Sequence, residues 1–156
     1  MKQVHQALQA EIRELEKARD VLNYSYTKCS HLAIGPGLNH EQLESLEALT
    51  SRFARLSDII VQRVFRYFDT LDLEESGTAR DRINRAEKRG VIPSAEEFIQ
   101  IRLLRNEIAH EYKADTVYDI FERVAALAPV LLQSVDTILE YVEKNAYEGK
   151  QKKQKD

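Results

Sequence analysis

The stretch "RNEIAHEY", residues 105–112, places groups that handle phosphates and protons within two helical turns. Residues four apart share a helix face, so Arg102, Asn106 and His110 form one polar stripe. Arg105 points about 140° away from His110 on an ideal helix, yet its side chain is long enough to reach round. Arginine grips phosphate oxygens bidentately and keeps its charge. Histidine titrates in the range where proton transfer is useful. Asparagine can orient the imidazole or the phosphate. Metal-free RNA cleavage needs a base for the 2′-OH, an acid for the leaving oxygen and a cation for the phosphorane. One chain supplies one histidine from this stripe; two chains across a symmetric dimer supply both acid and base. Spacing alone also fits a solvated helix end, because the stripe lies away from Phe98, Ile101, Leu104 and Ile108, the residues that turn inward.

The elements that must hold this stripe are legible from periodicity. The chain has 156 residues, 43% hydrophobic and 31% charged, which fits one folded domain. Five glycines and three prolines are few for a β sandwich or barrel, so the composition favours an all-α fold. Val4, Leu8, Ile12, Leu15, Leu22 and Tyr26 make one apolar stripe, which predicts a helix over residues 2–30. "AIGPGLNH" breaks it. Asn39 and Gln42 form a capping box that opens a second helix, whose apolar face runs from Leu43 to Phe68. After "TLDLEESGT", a short polar helix over 79–90 turns Ile83 and Ala86 inward and stops at Gly90. Ser94 caps the helix that ends at His110, with Glu97 completing the box. A last helix is predicted over 115–146, kinked or split by Pro129. The spacing thus predicts an up-and-down antiparallel bundle of four to five helices over 1–146. The lysine-rich segment 147–156 reads as a disordered tail.

Other features bound the function. The net charge of −3 does not mark a nucleic-acid binder, but a local basic patch outweighs the total. Arg80, Arg82, Arg85, Lys88, Arg89, Arg102 and Arg105 make the best RNA-backbone track, with Arg82, Arg85, Arg89 and Arg102 the principal contacts. A solvated helix laced by internal ion pairs explains the same residues. The lone Cys29 excludes an intramolecular disulfide framework, and Cys29, His31 and His40 fit no zinc spacing, so no metal and no cofactor are expected. Cys29 reads as a buried thiol. No secretory signal opens the chain, and the longest apolar run, "VAALAPVLL" (124–132), is short for a membrane span, so no membrane role and a cytoplasmic location are expected.

The segment "RNEIAHEY" resembles the R-x4-H-x-Y motif of HEPN-domain proteins, in particular the HepT-like toxins. Arg105, His110 and Tyr112 match its three positions, and Asn106 matches a polar residue that often follows the arginine. The all-α frame over residues 1–146 extends the resemblance. It implies a HEPN-like bundle and a homodimeric, metal-independent endoribonuclease whose two motifs line one cleft. It also implies a toxin–antitoxin pair in which a minimal nucleotidyltransferase (MNT) antitoxin transfers AMP to the motif tyrosine, Tyr112 by position. A phosphate-linked group beside His110 would block the cleft and repel RNA. The rival within the same superfamily is a non-catalytic subunit that binds or regulates a minimal nucleotidyltransferase.

Overall fold

The structure, a computed structural model, describes residues 2–75, 77–110 and 117–155, with side chains described as far as residue 145. Among the described residues every regular element is helical. α1 spans Lys2–Cys29 and α2 spans His40–Asp58. A π-helical segment, Ile59–Val64, joins α2 without a break to α3, Phe65–Leu71. α4 is Ala79–Lys88, α5 is Ala95–His110 and α6 is Val117–Lys155. Because α2, the π segment and α3 form one rod, the described residues make five helical rods.

Several helix ends follow the local chemistry of the sequence. Asn39 Oδ1 accepts from the Gln42 amide at 2.8 Å, and Gln42 Oε1 accepts from the Asn39 amide at 3.0 Å, the reciprocal capping box. Thr78 and Asp81 make a second box at the start of α4. Ser94 Oγ accepts from the Glu97 amide at 3.3 Å, while the Ala95 amide donates to Glu87 at 2.6 Å, so α4 helps cap α5. Gly90, at φ +75°, ends α4: its amide donates to Glu87 and that of Val91 to Ala86. That pairing is a Schellman motif, which needs the left-handed conformation glycine adopts without strain.

Packing turns these rods into an up-and-down arrangement. Arg52 meets Ser25, Arg55 meets Glu14 and Arg63 meets Glu11, so α1 and the α2 rod run antiparallel. Arg105 meets Asp58 and Phe98 meets Phe65, with ring centres 6.0 Å apart, so α5 runs against the same rod. Phe53, Phe65, Phe98 and Phe121 are fully buried at the centre, and Leu8, Ile12, Leu15 and Leu22 give α1 its expected core face.

Two elements differ from the periodicity. The run "IIVQRVF" puts Ile59, Ile60, Val61, Val64 and Phe65 all in the core, more than one α-helical stripe can hold. The wider π turn rotates the rod locally and buries both flanks of the run. Pro129 does not split α6, which is one helix. The proline is exposed, so its ring meets water rather than a packed neighbour. The helix also runs past residue 146 to Lys155, over the lysine-rich segment. By length and composition Val117–Asn145 could cross a membrane; here Phe121, Val124, Ala128, Leu131, Val135 and Ile138 are buried within the bundle.

Candidate functional site

The site is built on the C-terminal half of α5. Ile101 and Leu104 anchor the inner face of the helix in the core, which fixes the direction of the polar residues between and beyond them. Arg105 turns to α2, where its Nε and Nη2 donate to the two oxygens of Asp58 at 2.7 and 2.8 Å. Arg102 Nη1 lies 3.8 Å from the same carboxylate. Donating to Asp58 raises the pKa of the Arg105 guanidinium above its usual range, opposed by partial burial. Asp58 stands at the end of α2, where the π segment begins.

This geometry sets what Arg105 can do. A guanidinium presents two forked edges. Asp58 occupies the Nε/Nη2 edge, and the Nη1/Nη2 edge has no second carboxylate among the described residues. The carboxylate therefore orients the arginine at the expense of part of its charge. Asn106 is half-buried and His110 is exposed at the last position of α5. Neither side chain has a hydrogen-bond partner among the described residues. Tyr112, the third motif position, lies outside the described residues, as do all of 111–116.

A staple brackets that segment. Glu107 takes a bidentate pair from Arg123 of α6, with Nη2 at 3.2 Å, and Asp119 lies 3.5 Å from Arg123. The Arg123 hydrogen bond holds the Glu107 carboxyl below the usual glutamate range. This pair ties the last turn of α5 to the first turns of α6 and so restrains the backbone that carries His110.

The expected RNA track is divided by the structure. Arg82 is only 6% exposed. Its Nε donates to the Val61 carbonyl at 3.1 Å, Nη1 to the Gly77 carbonyl at 2.9 Å and Nη2 to Gln62 Oε1 at 2.9 Å. It clamps α4 to the π segment. Arg85 pairs with Asp69 at 3.0 Å, and Arg89 with Asp69 at 2.8 Å and Asp72 at 2.6 Å. These are the internal ion pairs that the basic helix also fitted. Arg102 remains at the surface beside Arg105. Arg66, which sequence reasoning did not select, has no ion pair among the described residues; with Arg102 it repels the Arg82 guanidinium and, after burial, lowers its pKa. Asp58 was missed too. Its signal was faint: one acid between "RLS" and the apolar "IIV", on a helix whose partner lay far along the chain.

Cys29 is buried, and burial pushes its thiol up. Among the described residues no three histidine, cysteine, aspartate or glutamate side chains cluster as a metal site would need. No protein-family model matches the chain, and neither a curated protein nor a solved structure matches it.

Proposed function

We propose that the protein is a metal-independent endoribonuclease with a HEPN-like bundle, acting as a cytoplasmic homodimer and as the toxin of a toxin–antitoxin pair. Arg105 binds the scissile phosphate and stabilises the phosphorane. His110 moves the proton, with a second imidazole supplied by the partner copy. Asn106 orients, and Tyr112 accepts AMP from an MNT-type nucleotidyltransferase antitoxin, which shuts the site. The observation that carries this reading is the arrangement of Arg105: a carboxylate fixes one edge of its guanidinium while the other has no partner among the described residues, about one and a half turns from an exposed histidine. A preorganised cation aimed at a phosphate lowers the barrier without reorganisation during the reaction.

One observation favours a second reading. The Asp58–Arg105 pair also gives the motif arginine a structural task, as a non-catalytic binding or regulatory subunit of a minimal nucleotidyltransferase would need. Expressing the chain alone in a bacterial host separates the two. The nuclease arrests growth and His110→Ala relieves the arrest; harmless expression of soluble wild-type protein supports the binding subunit.

A further inference from the structure

The α4–α5 face carries a feature that neither the core nor the motif uses. Arg80, Ile83, Ile99, Arg102 and Leu103 line a shallow groove between the two helices. Ile83 is buried and forms its floor, Ile99 is half-buried, and Leu103 is 47% exposed. Among the described residues Tyr24 and Leu73 are the large apolar side chains more open than Leu103, and neither lines this groove. An exposed leucine in one groove with two arginines suits a ligand with an apolar face and a negative charge.

Two arginines line the groove, and Arg80 has no ion pair among the described residues. The carboxylate nearest Arg102 is Asp58, 3.8 Å away, and both its oxygens already accept from Arg105. On the opposite side of α4, by contrast, Arg85 and Arg89 are neutralised by Asp69 and Asp72. α4 therefore keeps the paired Arg85 and Arg89 away from the groove and the unpaired Arg80 beside it.

We propose that this groove binds one nucleotide of single-stranded RNA, the base lying on Leu103 and Ile99 and the phosphate held between Arg80 and Arg102. Apolar platforms flanked by cations suit unpaired bases, whose faces are open; a base inside a duplex cannot lie flat on a helix surface. Arg102 lies one turn before Arg105 and shares Asp58 with it, so a strand seated here continues towards the free edge of Arg105. The proposal rests on the endoribonuclease reading for its choice of RNA and adds a subsite beside the scissile phosphate, selecting unpaired substrate.

The test is fluorescence anisotropy on full-length His110→Ala protein, in which binding is separated from cleavage, with a labelled 12-nucleotide single-stranded RNA, its duplex, the DNA strand of the same sequence and a poly-glutamate peptide as probes. Arg80→Ala and Leu103→Glu are made in that background, with circular dichroism confirming the fold; both positions are at the surface. Each is expected to weaken single-stranded RNA binding about tenfold, the weight of one good base contact. Arg80→Ala should also flatten the salt dependence by about one phosphate contact. The duplex should bind more weakly than the single strand. Equal binding by both variants overturns the proposal, as does preference for the peptide, the DNA strand or the duplex. Wild-type cleavage unaffected by either groove variant overturns the groove and leaves the nuclease intact. Groove-dependent binding in a wild-type protein that never cleaves overturns the nuclease and leaves the groove.

Discussion

Replacing Arg82 with alanine tests whether this arginine belongs to the fold or to an RNA surface. Its guanidinium is buried and donates three hydrogen bonds, two to backbone carbonyls and one to Gln62. A hydrogen bond from an ionised donor contributes about 1.5–3 kcal/mol. Against that stands the cost of burying the cation, visible as a pKa lowered first by desolvation and then by Arg66. The truncation removes the bonds, strands the Val61 and Gly77 carbonyls and opens a void between α4 and the π segment. The net loss is about 2–4 kcal/mol. For a chain of this length that lowers Tm by roughly 5–15 °C. Urea unfolding followed by circular dichroism reads it directly, with exposed Arg80→Ala as the reference, expected within about 0.5 kcal/mol of wild type. Arg82→Lys should recover little, because one ammonium cannot reach three acceptors in different directions. A loss below about 1 kcal/mol for Arg82→Ala, equal to that of Arg80→Ala, would refute the clamp.

Three further outcomes follow from the same contacts. Arg105→Lys keeps the charge but loses the fork that engages Asp58 and phosphate together, so RNA cleavage should fall at least about tenfold in kcat with little change in Tm; unchanged kcat sinks the bidentate role. Glu107 is held below its ordinary pKa of 4.5 by Arg123, so this pair stabilises the fold above that pH and its contribution fades as pH falls through the depressed value. The stability gap between wild type and Arg123→Ala should therefore be largest near neutrality, under about 1 kcal/mol because both groups are partly exposed, and shrink towards pH 3; a gap that widens in acid contradicts it. Protein co-expressed with a minimal nucleotidyltransferase should gain one AMP, mapped by peptide mass spectrometry to Tyr112; a modification elsewhere overturns the assigned regulation.

Local signals in the sequence translated well into helices because they act over a few residues. The Asn39–Gln42 box, the Gly90 stop and the α1 stripe each depend on neighbours within a turn or two, and each is present as read. The π segment was not legible, since a stripe of Leu56, Ile60, Val64 and Phe68 satisfies an ordinary helix and conceals that Ile59, Val61 and Phe65 must be buried as well. Long-range pairing was the larger gap. Asp58 and Arg105 are 47 residues apart, and nothing in either helix alone specifies that they meet. Likewise, seven cations in and around α4 reveal their number but not their partners. Asp69 and Asp72 claim Arg85 and Arg89 only once α3 packs against α4, and Arg82 turns inward only because the Val61 carbonyl and Gln62 await it. Arg80 is left without an ion pair among the described residues, and Arg102 shares Asp58 with Arg105.

The central claim, that Arg105 and His110 form a metal-free RNA-cleaving site, is tested most directly by the rate at which purified protein cleaves RNA in excess EDTA, side by side with His110→Ala. Wild type is expected to cleave with a bell-shaped pH dependence, as an imidazole base and an imidazolium acid require, and the variant to lose at least about a hundredfold. Cleavage by His110→Ala at the wild-type rate, or wild-type cleavage that vanishes with EDTA and returns with a divalent metal, would contradict it.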